Sequence, residues 1–268
     1  MSWFDMMLGA ATVAAAPIQY TDPATLPGLQ FLLDADTLAG FTLSGTGGDE
    51  VSSYVERSAN GYTGTQTTAG KRPKRITNGL DGRAVIRFDG TDDHLDFGTS
   101  ALNLGTGNFT IITIWQKNVS VSGAYSLIGK IDPSGGPGWL VWGETGQPRY
   151  FLYGQPGAAN MQEYAVDFSG FAVQLFEADR GNFMQSWTNK NNTGGPQYIF
   201  THALQSLNNT KRMLIGAFDD DGVNEFQGYY FNGDIAYIAC FNRLLSSQEK
   251  TEVYNFLKQR YPSLPYTI

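Results

Sequence analysis

Apolar and polar positions along this chain recur in short blocks, and the blocks have the period of strands rather than helices. The most informative is Phe109-Thr-Ile-Ile-Thr-Ile-Trp115. Phe109, Ile111, Thr113 and Trp115 fall on one face, and Thr110, Ile112 and Ile114 on the other. Both faces are mostly apolar, which predicts a central strand covered on both sides. Further strands are predicted at 29–34, 84–88, 94–97, 125–128, 138–142, 149–153, 171–176, 183–187, 213–217, 229–231 and 235–241. Glycine-containing turns separate most of them, as at Gly135-Gly136, Gly194-Gly195 and Asn232-Gly233. About a dozen strands without alternating helices predict an all-β fold, a two-sheet antiparallel β-sandwich.

One helix is predicted, at the C-terminal end. Ser246-Ser-Gln-Glu249 has the spacing of a capping box, in which the Ser hydroxyl accepts from the Glu amide and the Glu carboxylate accepts from the Ser amide. Val253, Phe256, Leu257 and Tyr261 then form one apolar stripe, with Lys250, Glu252, Asn255 and Lys258 opposite. Pro262 ends the helix, and the single stripe predicts that it packs on one surface of the sandwich.

The total of 268 residues suits one large all-β domain. Residues 28–262 are assigned to it, with 263–268 as a tail. Residues 1–27 form an apolar arm followed by the linker Asp22-Pro-Ala-Thr-Leu-Pro27, whose two prolines disfavour helix and central strand alike. The net charge of −7 argues against a nucleic-acid or anionic-membrane surface. Lys71-Arg-Pro-Lys-Arg75, the concentrated positive stretch, reads as a solvated loop beside a strand, with a phosphate or glycan contact as the lesser alternative. The single cysteine, Cys240, excludes an intrachain disulfide and sits in an apolar strand pattern, as a core residue would.

The arm holds Trp3, Phe4, Met6, Met7 and Leu8 ahead of an alanine-rich stretch. It lacks the positive charge that begins a secretory signal and is too short to span a bilayer. Such residues would aggregate if exposed on a free monomer, so they are read as a partner-docking arm, with an uncleaved signal peptide as the alternative.

Three segments resemble the closing elements of laminin-G-like domains of the concanavalin A-like lectin/glucanase superfamily: Met213-Leu-Ile-Gly-Ala217, the run from Phe231 through Asn242-Arg243 to Ser246, and Val253-Tyr-Asn-Phe-Leu257. Upstream, Val85-Ile-Arg-Phe-Asp-Gly-Thr-Asp-Asp-His-Leu95 is similar to an element near the start of such domains, and Ser58-Ala-Asn-Gly61 to a turn of bacterial and phage versions. The resemblance implies a jelly roll but no function, because that sandwich hosts lectins, glycan hydrolases and inert structural modules.

Glycosidases on this scaffold carry alternating carboxylates on one strand. The nearest match, Phe176-Glu-Ala-Asp-Arg-Gly181, has Glu177 and Asp179 but lacks the third acid, so no enzyme is expected and no cofactor is assigned. The acidic loop Asp219, Asp220, Asp221, Asn224 and Glu225 is the candidate calcium site, although a solvated turn explains it as well. Asp89, Asp92, Asp93 and Asp96 are expected to form turns and bond backbone. Trp139, Trp142, Tyr150 and Tyr153 are the candidate glycan platform, with the restriction that Trp139 and Trp142 point to opposite faces of one strand.

The expectation is therefore a non-catalytic structural or interaction module. The leading setting is a bacteriophage virion, as a capsid decoration or tail-adhesin protein assembled in the host cytoplasm. Its expected partners are other virion proteins or further copies of itself, together with a cell-surface glycan. A secreted bacterial carbohydrate-binding lectin is the alternative, and a divergent glycoside hydrolase the third.

Overall fold

The computed structural model describes residues 17–118, 124–132, 136–144, 147–155, 158–163, 170–198, 205–219 and 229–267. The arm residues Trp3, Phe4, Met6, Met7 and Leu8 lie outside the described residues.

The strands form two layers. In the first, β5 (Lys74–Leu80), β6 (Arg83–Asp89), β17 (Asn232–Phe241), β8 (Phe109–Lys117), β13 (Ala172–Asp179), β14 (Phe183–Thr188) and β15 (Asn191–Tyr198) follow one another in space. One edge of β17 is shared, because β6 pairs with residues 232–235 and β1 (Leu29–Asp34) with residues 237–241. The second layer runs β2 (Phe41–Ser44), β3 (Glu50–Val55), β4 (Thr63–Thr65), β7 (Leu95–Asp96), β16 (Leu214–Ile215), β9 (Ala124–Lys130), β10 (Gly138–Glu144), β11 (Gln147–Gln155) and β12 (Ala158–Glu163). All these pairings are antiparallel, and the single bridge Glu50↔Lys74 joins the layers. This is the antiparallel β-sandwich with one C-terminal helix that the strand periodicity predicts.

Between the layers, Phe31, Phe88, Phe109, Trp115, Tyr125, Trp139, Phe176 and Phe231 are buried in one core. Trp115, Tyr125 and Phe231 meet pairwise at 5.7 Å between ring centroids, an aromatic triangle that ties β8 to β9. Trp115 keeps its indole N–H satisfied by donating to Gln174 Oε1 at 2.9 Å. Cys240 lies in the same core, and burial pushes its thiol pKa far up, so it is an inert packing residue.

The opposite face of the first layer is also apolar, as the pattern of Phe109–Trp115 requires. Helix α1 (Ser247–Arg260) and the tail cover it, bringing Val253, Tyr254, Leu257, Tyr261 and Leu264 onto Ile112, Ile114, Val173, Leu175 and Ala239. The capping box forms as the sequence predicts, and Arg243 adds a bidentate pair to Glu249 at 2.7 and 2.9 Å. The stripe itself is shifted. Tyr254 is buried and Phe256 only partly so, while Asn255 turns inward to donate to Gln19 O at 3.0 Å. Thus residues 17–22 strap onto α1, and Thr21 bonds Glu252 through both its amide and its hydroxyl.

Several local expectations are corrected. Pro23–Thr25 forms a 3-10 turn capped by Asp22, because proline is well placed in the first helical turn. Asn232-Gly233 begins β17 rather than making a turn, and Tyr229–Phe231 is not a strand. Gly194-Gly195 lies within β15 at an irregularity of the β14 pairing. The basic stretch is not merely solvated. Arg72 donates to Gln66 O at 2.9 Å, Thr67 O at 3.0 Å and Ser44 Oγ at 3.0 Å, and Arg75 to Ala35 O at 2.9 Å and Asp36 O at 3.0 Å. These guanidinium groups pin loops of one layer to the other.

Candidate functional site

Alternation along β10 decides which members of the aromatic set can meet a ligand. Trp139 and Val141 point inward; Leu140 and Trp142 point to the outer face of the second layer. Trp139 is 1% exposed and donates to Leu102 O at 3.3 Å, so it is a core residue and leaves the candidate platform. Trp142 is half-buried and stacks on Tyr229, with ring centroids 5.9 Å apart and planes 22° from parallel. Phe218 meets Tyr229 edge-on at 5.2 Å, and Ile131 and Leu140 complete the apolar base. Tyr150 and Tyr153 are placed by register alone: Tyr150 lies opposite Val141, and Tyr153 opposite Gly138. The side chains of Tyr150 and Tyr153 lie outside the described residues.

Phe218 and Tyr229 were not among the sequence candidates. They flank the acidic loop, and their only signal is that two aromatics bracket a polar segment. The backbone of Tyr229 is fixed where its carbonyl accepts from Ser126 N at 2.8 Å, beside the Ser126 hydroxyl that donates to Ala217 O at 3.0 Å.

Asp219 is fully buried and does not offer a calcium ligand as expected. Arg212 donates to it three times: backbone N at 2.8 Å, Nε at 3.1 Å and Nη2 at 2.7 Å. The guanidinium already neutralises the carboxylate, and a second cation there would be repelled. Asp220, Asp221, Asn224 and Glu225 lie outside the described residues.

The second acidic group has the turn-forming roles expected of it. Asp89 Oδ1 accepts from Thr91 N at 2.7 Å, Asp93 Oδ2 from Asp89 N at 3.0 Å, and Asp96 Oδ1 from Gly98 N at 2.7 Å. Gly90 has φ +77°, and a Cβ there would stand 2.5 Å from Asn232 Cβ, which explains the Asp-Gly pair. Asp89, Asp92 and Asp93 lie within 4.8 Å of one another. Burial, reinforced by the Asp89 charge, pushes the Asp93 carboxyl up to about 7.

Glu177 does not face a cleft. It is buried beneath α1, accepting from Lys250 Nζ at 3.0 Å and Gln185 Nε2 at 3.3 Å, while Asp179 accepts from Asn182 Nδ2 at 2.8 Å. The carboxylate nearest to a hydrolase pattern is thus a tether between the helix and its sheet.

No protein-family model matches the sequence, and no curated protein matches it. Solved structures do match the fold. The binding domain of Paraclostridial Mosquitocidal Protein 1 superposes with a TM-score of 0.60 at 13% identity, over 85% of this chain and 52% of that one. The binding domain of botulinum neurotoxin DC, in complex with SialylT, gives 0.53 at 12% identity, over 86% and 52%. NanB sialidase from Streptococcus pneumoniae gives 0.51 at 15% identity, over 63% and 27%. The fold is a lectin-like β-sandwich. This sandwich spans about half the length of the two binding-domain chains and about a quarter of the sialidase.

Proposed function

We propose that this chain is a non-catalytic carbohydrate-binding module that reads sugar rings on the outer face of its second layer. The carrying observation is the half-buried Trp142 stacked on Tyr229, on a rigid strand and over an apolar base. A sugar ring presents C–H groups on its faces, and an aromatic face held at a strand surface is a low-entropy partner for them. The matching folds support the reading: two are binding domains, one of them in complex with SialylT, and the third belongs to a sialidase. The laminin-G-like resemblance adds architecture to this reading and no chemistry. Attachment to a larger assembly, a bacteriophage virion in our reading, would run through the arm that precedes Pro17.

The full chain, printed on an array of neutral and acidic glycans, should retain a definable set. Trp142→Ala should reduce that retention about tenfold while the protein still unfolds cooperatively. Retention that survives both Trp142→Ala and Tyr229→Ala would remove this face from the function. A folded protein that retains no glycan would remove the function itself.

A further inference from the structure

The covered face of the first layer continues beyond its cover. One pleat past Ile76, Val85, Ile114 and Ala236, the same outward face carries Lys74, Arg87, Asp234 and Gln116. Register sets these four directly opposite one another across β5, β6, β17 and β8. Such a row cannot be read from the sequence, because its members are up to 160 positions apart (74 to 234).

Its centre is fixed. Asp234 is 3% exposed, and Arg87 donates to its two oxygens through Nε at 2.7 Å and Nη2 at 3.0 Å. Gln116 Nε2 donates to Oδ2 at 2.8 Å. Asp234 raises the Arg87 pKa, so the guanidinium stays charged. The Arg87 side chain is nevertheless 52% exposed, and its Nη1 has no hydrogen-bond partner among the described residues. Lys74, 54% exposed, meets Asp49 at 3.7 Å, a surface pair of little strength.

Arg87, Asp234 and Gln116, with Lys117, Asn118 and Asn232, line a groove of about 430 Å³. A neighbouring hollow of about 450 Å³ shares Arg87, Asn118 and Asn232 with it and reaches Lys74. Within the groove Arg87 and Asp234 are paired, and the adjoining hollow adds Arg72 and Lys74 against Glu50, Asp89 and Asp93. The volume lies at the lower end of the ~300–1,000 Å³ range of small-molecule sites.

We propose that this groove binds a sugar acid, a hydroxylated monocarboxylate of monosaccharide size. The open Nη1 of Arg87 supplies the carboxylate contact, and holding the guanidinium in advance lowers the entropy cost of binding. The amide groups of Asn118 and Asn232 both donate and accept, as hydroxyl groups require. This site lies on the other layer from the Trp142 face and does not depend on it.

The test is an amide-resolved NMR titration of the full chain with D-glucuronate, using D-glucose and acetate as controls. Glucuronate should shift the backbone amides of Lys117, Asn118 and Asn232. Glucose, lacking the carboxylate, and acetate, lacking the hydroxyls, should each bind about tenfold more weakly. Lys74→Glu reverses an exposed charge without disturbing Asp234 and should weaken glucuronate about tenfold, with an unchanged melting temperature. Gln116→Leu should weaken it further, and Trp142→Ala should leave it unaltered. The proposal is overturned if glucuronate moves no groove amide, if glucose binds as well as glucuronate, or if Lys74→Glu changes nothing. Failure here with glycan retention intact at Trp142 would leave the first reading standing, and the converse would leave this one.

Discussion

The outer faces of the two layers begin from similar strand chemistry and end differently. On the first layer, α1 and the tail seal the apolar rows, and buried charge is paired. Asp34 accepts from Arg260 at 2.8 and 2.9 Å and from Arg57 at 3.1 Å, while Asp36 accepts from Arg83 at 2.6 Å. On the second layer no helix covers the aromatic face among the described residues, and Trp142 and Tyr229 stay half-buried. The rim beside the groove differs again, since Asp93 is buried close to two other carboxylates. Apolar surface that a domain covers with its own chain serves stability, whereas apolar surface left at half-exposure is available to a ligand.

Mutation at the seal should do the most damage. Leu257, on the sheet-facing side of α1, is fully buried, so Leu257→Ala should cost about 3 kcal/mol, read by chemical denaturation. A loss under about 1 kcal/mol would show that the helix is an accessory, not a seal.

Charge offers the next test. The Asp93 pKa is raised from 3.8 to about 7, so the native state binds the extra proton and stability should fall as pH rises between those values. Asp93→Asn should flatten that slope and gain roughly 2 kcal/mol at pH 8. Glu249 has the opposite sign: Arg243 holds it down at about 2, and its contribution should be intact above pH 4.5 and vanish as the pH falls through 2. Melting curves of wild type, Asp93→Asn and Glu249→Gln across pH 2–8 would show both slopes, and parallel curves would refute the assignment.

Smaller effects sharpen the contrast. Trp142→Ala should cost about 1.5 kcal/mol, under the Leu257 value, because its side chain is only partly buried. A cost as large as that of Leu257→Ala would mean that the aromatic face is sealed after all. Ser246→Ala should cost about 1 kcal/mol through its lost cap, without any effect on glycan retention.

What was legible in the sequence was whatever depends on near neighbours in the chain. The capping box, the doubly covered strand at 109–115, the opposed faces of Trp139 and Trp142, and the turn roles of Asp89 and Asp93 all follow from local period or spacing. Asp219 misled because an acidic run looks the same whether or not an arginine seven residues earlier folds back onto it. Glu177 acquired its meaning from Lys250, and Arg87 from Asp234, through pairings that only register creates. Tyr229 joined the site because the second layer places it over Trp142, which no spacing announces.

The placement of β17 has a consequence for synthesis. Residues 232–241 form the centre of the first layer, flanked by β8 on one side and by β6 and β1 on the other. A nascent chain emerging from the ribosome thus holds its early strands without the partner that joins them until residues 232–241 have been translated. Such long-range closure makes for slow folding and prolonged exposure of strand edges. Translation that stalls before residue 232 should yield fragments destined for proteolysis or chaperones, and no partially active product.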